Sequence, residues 1–489
     1  MDSLIHGFAL LADPTLLLYC FVGCLVGTLI GVLPGLGPTA TISMLLPMTY
    51  GLGPLPSIIM LAGIYYGSQY GGSTTAILLN TPGEASAVMT CIDGNKMTQK
   101  GKAGIAIFAA GFSSFVAGVI ATFLIAWFSP PLSSIAFMFG PAEYCSIMLL
   151  GLISVSVLTA GDLLKGVGMA IIGILLGLIG TDISTGVSRF TFHIPDLEDG
   201  IGFAVVAVGL FAFAEIIKNI SEKSDFQVYQ GKIDLWPSWA EFKRMIPSSL
   251  RGSVVGSFFG LLPGGGAAIS SFAAYTVEKK LSKNKHEIGS GAIEGVAGPE
   301  SANNAAAQTG FIPLLALGIP ENATMALMLG ALIINGIQPG PTIIAKQPDL
   351  FWGLTASMLL GNLFLVIMNI PLIRMWVQVL KVPYNVLYPA VLAICCIGIY
   401  SINNNANDVI IAGLFGFVGY YFLTLGLEAA PLMLGLILGP MFEEHFRRQM
   451  IIADGSLLPF MQRPISASIL AFVFVVIAYG LYKSIKPSK

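Results

Sequence analysis

The sequence predicts an all-α polytopic membrane protein of about 10–12 transmembrane segments, built as two inverted repeats with broken helices or re-entrant hairpins. Three observations lead there. Only 10% of the 489 residues are charged and 55% are hydrophobic, whereas soluble domains carry about a quarter charged residues. Pro14 to Gly83 contains no Asp, Glu, Lys, Arg or His, and between Ala103 and Gly161 the sole charged residue is Glu143. Finally, one interrupted apolar motif occurs twice.

The first copy, Gly27–Ser43, reads GTLIGVLPGLGPTATIS; the second, Gly256–Phe272, reads GSFFGLLPGGGAAISSF. At an offset of 229, Gly27, Gly31, Leu33, Pro34, Gly35 and Gly37 meet Gly256, Gly260, Leu262, Pro263, Gly264 and Gly266. Lipid forbids irregular backbone unless it is buried or lines a cavity, and paired breaks in corresponding halves point to a transporter's binding site. Proline removes an N–H and clashes with the preceding turn, while glycine permits left-handed or close-approach backbone. Each break therefore leaves free carbonyls on one side and free N–H groups at the start of the next half-helix, which attract anions. Kinked helices packed through glycine are the plain structural alternative.

The second broken element repeats too. Gly72–Ser86 matches Gly310–Thr324 at an offset of 238, pairing Gly72 with Gly310, Leu79 with Leu317, Pro82 with Pro320 and Ala85 with Ala323. The halves run over 1–225 and 246–489, joined by a cytoplasmic connector at 226–245. Loops made equivalent by the repeat differ in charge: 50–57 is uncharged while 278–287 has four lysines, and 93–102 has three lysines while 337–349 has one. Basic short loops stay cytoplasmic, so equivalent loops are expected on opposite sides. Arg447, Arg448 and Arg463 do not fit strict alternation. Either a span near 431–440 does not fully cross, or 443–463 lies along the interface.

The second elements are rich in polar residues: Tyr65, Tyr66, Ser68, Gln69, Tyr70, Ser73, Thr74, Thr75, Asn80 and Thr81 in copy one, all without charge, then Glu300, Ser301, Asn303, Asn304, Gln308 and Thr309 in copy two. Such groups at membrane depth need partners. With exposed carbonyls they make hard oxygen ligands for Na⁺ and hydrogen bonds for a carboxylate; ordinary hydrogen bonding between helices is the alternative. The candidate substrate-binding residues are Gly35, Gly37, Pro38, Thr39, Ser73, Thr74, Asn80, Thr81, Gly264, Gly265, Gly266, Ser301, Asn303 and Asn304. Asn80, Pro82, Gly318, Pro320, Asn322 and Thr324 are candidate ligands for a Na⁺ ion. Glu84 and Glu321, just after Pro82 and Pro320, read as proton carriers, cation ligands or acidic first-turn residues at helix starts. Arg251 and Glu300 are candidates to face the cavity, but both are expected near a cytoplasmic edge.

Enzymatic chemistry is not expected. The chain has no P-loop, HExxH, GxSxG or kinase motif, and its four histidines and six cysteines show no metal-ligand or disulfide spacing. No basic stripe suggests nucleic acid. The N-terminus lacks the basic region of a signal peptide, so Met1 is expected in the mature protein. Secondary transport, with no cofactor beyond a coupling Na⁺ or H⁺, is the expectation.

Three segments carry a family resemblance: Gly31–Pro47, Gly63–Gly94 (GIYYGSQYGGSTTAILLNTPGEASAVMTCIDG) and Gly298–Leu332 (GPESANNAAAQTGFIPLLALGIPENATMALMLGAL). They resemble the large membrane subunit of tripartite tricarboxylate transporters (TctA-type), and the likeness covers essentially the whole chain. The resemblance implies a multi-pass protein of the bacterial inner membrane, with a small four-span membrane subunit and a periplasmic solute-binding protein as partners. It implies import of tri- or dicarboxylates by cation symport, in an elevator-like carrier whose complex forms a homodimer. The transport core is then expected at 27–50, 63–90, 256–278 and 299–330, with the rest as scaffold and docking surface in the bilayer. An ion-independent carboxylate channel and a non-translocating receptor for the binding protein are the rival readings.

Overall fold

The computed structural model describes residues 2–33, 36–135, 138–159, 163–182, 185–221, 231, 234–262, 266–340, 342–380 and 384–485. Copy one contains α1 (Asp2–Leu10), α2 (Pro14–Gly31), α3 (Pro38–Thr49), α4 (Pro54–Leu79), α5 (Val88–Gln99) and α6 (Ala103–Ile135). Next come α7 (Pro141–Thr159), α8 (Leu163–Gly177), an antiparallel pair β1 (Gly180–Thr181) and β2 (Ser188–Arg189), and α9 (Phe203–Ala207), which runs through a π-helical turn into α10 (Ala214–Ser221). Copy two begins with α11 (Trp239–Gly260), α12 (Gly266–Leu281), α13 (Glu294–Thr309), α14 (Phe311–Leu317), α15 (Ala323–Ile334), α16 (Ile343–Lys346) and α17 (Pro348–Asn369). The chain ends with α18 (Ile373–Val379), α19 (Tyr384–Asn403), α20 (Ala406–Thr424), α21 (Ala429–Ile452), α22 (Leu458–Gln462) and α23 (Pro464–Ile485).

Local chemistry explains the boundaries. Pro14, Pro38, Pro54 and Pro348 open their helices, where the missing N–H costs nothing. Ser238 and Glu241 form a capping box, so α11 starts at Trp239, inside the stretch read as connector. The second breaks are alike in both copies. α4 ends on Asn80 with φ 57° and α14 on Gly318 with φ 71°, positions 238 apart. After each proline the chain is extended at Glu84 and at Asn322, again 238 apart, before the next helix begins.

The packing repeats as well. A Cβ on Gly23, Gly27 or Gly31 of α2 would lie 2.3–2.4 Å from the carbonyl oxygen of Met60, Ile64 or Ser68 on α4. In copy two Gly252, Gly256 and Gly260 meet the carbonyls of Gly298, Ala302 and Ala306 at 2.2–2.5 Å. Each partner lies 238 residues beyond its counterpart, so one close-packed glycine seam is built twice. The next equivalent helices, α6 and α17, run antiparallel: Gly111 meets Ile370 and Gly118 meets Asn362.

The outside is apolar, and polar residues are buried within a largely hydrophobic interior. Trp127, Phe258, Phe417 and Phe474 are exposed, whereas every residue of α13 is buried. Five described helices are long and apolar enough to cross a bilayer: Pro14–Gly31, Ala103–Ser129, Phe203–Ile220, Pro348–Asn369 and Ala406–Thr424, with five shorter apolar ones beside them.

Charge separates to the two ends. Lys96 donates to the Gly289 carbonyl, Lys100 to that of Ser290, and Lys102 pairs with Glu241. Asp93 joins the same end: fully buried, it accepts from the Tyr275 hydroxyl and the backbone N–H groups of Gly289, Gly291 and Ala292. α6 has 33 residues, about 50 Å at helical rise, and its far end leads to Glu143. There Arg463 pairs with Glu143, Arg447 with Asp182 and Glu443, and Arg448 with Glu444. The arginines that break charge alternation thus sit opposite the lysines, each matched by a carboxylate. Of the two options for 431–463, α21 is one continuous helix that carries Glu443, Arg447 and Arg448 to this end.

Candidate functional site

Four interrupted ends converge inside the bundle. A Cβ on Gly37, the residue before α3, would sit 3.1 Å from the Gly83 carbonyl, and Glu84 lies beside it. Gly266, which opens α12 at φ +48°, faces Asn322 and the Glu321 carbonyl. The tips Pro34, Gly35, Pro263, Gly264 and Gly265 lie outside the described residues, so the candidate role of Gly35, Gly264 and Gly265 has no geometry here.

Hydrogen bonds then cross between copies in a reciprocal pattern. Asn322 Nδ2 donates to the Tyr65 hydroxyl at 3.3 Å, and Asn303 Nδ2 donates to Glu84 at 3.2 Å. Tyr65 and Asn303 are equivalent positions, and so are Glu84 and Asn322. Position i of one copy meets position j of the other both ways round, the arrangement of a two-fold contact. Gln69 Nε2 donates to Asn303 Oδ1, and the hydroxyls of Thr39 and Thr324 meet at 2.8 Å, tying the start of α3 to the start of α15.

Three buried polar atoms at this centre have no hydrogen-bond partner: Gln69 Oε1, Glu321 Oε2 and Tyr66 Oη. Glu321 is fully buried, and its other oxygen accepts from Asn322. It occupies the position of Gly83 in copy one, and its carboxyl lies where a Cβ on Gly310 would fall, just as Gly83 presses on Gly72. A capping role for it has no support in the hydrogen bonds, because Asn322 is the residue that caps α15 through the Met325 N–H.

The structure sorts the expected residues. Gly37, Pro38, Thr39, Gly266, Asn303, Asn322 and Thr324 stand at or beside the convergence. Ser73 and Asn304 turn to a second cluster: Ser73 donates to Glu300 at 2.7 Å and Asn304 to Ser114 at 2.7 Å. Thr74 bonds back to Tyr70 and lines the same small cavity as Glu300. Ser301 bonds to its own helix and faces Gly252, so it stays at the glycine seam. Asn80 is exposed and serves as the left-handed end of α4, Thr81 bonds to Leu79, and Gly318 abuts Pro339. Pro82 and Pro320 lie in the two returning segments. Among the described residues no cluster of three His, Cys, Asp or Glu side chains is placed to hold a metal.

One expectation changes. Arg251 is about a third exposed and held by Glu278 at 2.7 and 2.8 Å. Glu300 instead lies in the interior, 1% exposed, accepting from Ser73 and Thr90. Ser114, Thr90 and Asn369, which complete its surroundings, had no motif to single them out. The spacing of Glu300, Asn303 and Asn304 on one helix does signal a shared polar face.

The family model for the "Tripartite tricarboxylate transporter TctA family" matches residues 17–434. A protein of Agrobacterium vitis, described as an uncharacterized 52.8 kDa protein in the TAR-I ttuC′ 3′ region, is 51% identical over 490 aligned residues, covering 100% of this chain and 98% of its own. A second from that organism, described as an uncharacterized protein in the TAR-II ttuC′ 3′ region, is 56% identical over 234 residues, 48% of this chain and 97% of its own. No solved structure matches. With paired helix breaks, a cluster of buried polar residues and an apolar exterior, this multi-pass membrane chain belongs to the tripartite tricarboxylate transporter TctA family.

Proposed function

We propose that the chain is the large membrane subunit of a binding-protein-dependent secondary transporter, importing tri- or dicarboxylates by symport with Na⁺ or H⁺ across the bacterial inner membrane. A small four-span subunit and a periplasmic solute-binding protein complete the system, and the complex works as a homodimer. The two copies act as inverted repeats, a reading supported by the antiparallel run of α6 and α17. An elevator-like motion of the core against the scaffold is part of the proposal and rests on family likeness.

One observation carries the reading: the reciprocal Tyr65–Asn322 and Asn303–Glu84 bonds at the point where four broken ends meet. Free N–H groups at the starts of α3, α12 and α15 favour a carboxylate there. Glu84 and Glu321 stand beside the same point, and in their ionised form they repel an anion. A cation or proton travelling with the substrate offsets that repulsion, which is why coupling belongs to the proposal.

The test is uptake of labelled citrate and related acids by proteoliposomes holding all three subunits. Accumulation is expected with an inward Na⁺ or H⁺ gradient at fixed membrane potential, and Asn303→Ala should lower it at least tenfold with membrane insertion unchanged. Equal uptake without any ion gradient would point to a uniporter; binding-protein capture without accumulation would point to a receptor.

A further inference from the structure

Beside the polar centre lies a second, partly open site with different chemistry. It is a cavity of about 10 Å³, room for one water-sized body, lined by the polar residues Tyr70, Ser73, Thr74, Ser114, Glu300 and Asn369 together with the apolar Ile77, Ile107, Ala110 and Gly111. Both carboxylate oxygens of Glu300 face hydroxyls: Oε2 accepts from Ser73 at 2.7 Å and Oε1 from Thr90. No Lys or Arg among the described residues pairs with Glu300. Asn369 is 3% exposed and uses Nδ2 on the Leu365 carbonyl at 2.9 Å, while its Oδ1 has no hydrogen-bond partner. Asn304 Oδ1 is likewise buried and unpartnered, with Nδ2 held by Ser114.

We propose that Glu300, Ser73, Ser114 and Asn369, with Thr90 and Asn304 behind them, form a binding site for a single monovalent cation of sodium size. A buried carboxylate without a counter-charge is costly, and a cation placed among these oxygens supplies that charge. The donors are hard oxygens, one carboxylate among neutral amide and hydroxyl groups, which matches a small alkali ion. Ca²⁺ takes 6–8 oxygens with several carboxylates, and Mg²⁺ keeps waters the cavity has no room for.

The site is wired to the polar centre. Asn303 lies three residues beyond Glu300 on α13, and Ser73, whose hydroxyl holds Glu300, lies one turn beyond Gln69, the α4 residue whose side chain holds Asn303. A cation at Glu300 therefore fixes the faces of α4 and α13 that present Asn303 and Gln69. Such linkage is reciprocal: whatever the ion does for substrate affinity, substrate does for ion affinity.

This deepens the coupled-transport reading, and a binding measurement without substrate separates the two. In purified protein, the melting temperature should rise saturably with NaCl against a choline chloride control, with KCl much weaker. Glu300→Gln should abolish the rise, and Asn369→Ala should increase the apparent Na⁺ Kd at least tenfold; should the first variant not fold, Ser73→Ala joins the second. The same Na⁺ response in these variants overturns the proposal. So does a melting temperature that follows pH and ignores Na⁺, which makes Glu300 a proton site. If wild type accumulates substrate on a Na⁺ gradient and Glu300→Gln does too, the ion binds elsewhere and this inference falls alone; if wild type accumulates nothing under any gradient, the transport reading falls.

Discussion

The two copies share their packing and differ in their chemistry. α2 on α4 and α11 on α13 are joined by the same glycine seam at matching positions, and both second breaks bend through a left-handed residue. On the facing side the copies part. Where α13 carries Glu300, Asn303 and Asn304, the equivalent positions of α4 hold Ala62, Tyr65 and Tyr66. Gly83 in one copy is Glu321 in the other, and Thr49 is Glu278. Close backbone approach admits only glycine and so has stayed the same in both; the polar interior tolerates asymmetry, and there the chemistry resides.

The sharpest way to break this comparison is to attack the shared part. Gly256→Leu pushes a side chain into the Ala302 backbone, whose carbonyl lies 2.2 Å from the Cβ position. No detergent-stable protein should survive, and Gly27→Leu should fail alike; size-exclusion chromatography of the solubilised protein reads both. Milder Gly→Ala changes at these sites should cost about 1–3 kcal/mol each, as overpacking does. If one seam tolerates leucine, the two are not mechanically equivalent.

Next comes a feature of copy two alone. Glu278 is 1% exposed and held by Arg251 and Ser248. Arg251→Met strands that carboxylate. Breaking a buried pair costs about 3–5 kcal/mol, and since Arg251 is about a third exposed, the lower end is expected. The loss should appear as a lower melting temperature, recovered in large part by adding Glu278→Gln. The corresponding copy-one pair, Val22 and Thr49, should accept conservative changes with little effect.

The smallest effect tests the bridge between copies. Thr39→Val removes one hydroxyl contact with Thr324, worth about 1 kcal/mol. Uptake should fall severalfold with little change in melting temperature. A large thermal loss instead would make the bridge a stability element.

Much of this could be read before the fold was known. The paired breaks were legible because proline and glycine at a fixed offset leave a pattern that hydrophobic drift does not blur. Asn303 was legible as an amide amid small apolar residues. Glu300 was misplaced, because a linear pattern places a residue along a helix but does not say that Ser73 and Thr90 from copy one cover it. Asn80 shows the opposite limit: no linear pattern reveals that its backbone twist forms the turn and that its side chain is exposed. Asn369 and Ser114 lie far from any motif in sequence, and only the fold of α6 and α17 around α13 assembles them.

The buried Asp93 restricts how the protein can move. Four donors from the stretch 275–292 close on it, so separating α5 from that stretch would leave an anion and several peptide N–H groups unsolvated. The cheaper course is for both to travel as one body. Any sliding boundary must then pass outside this knot, which makes an engineered cross-link there a harmless one.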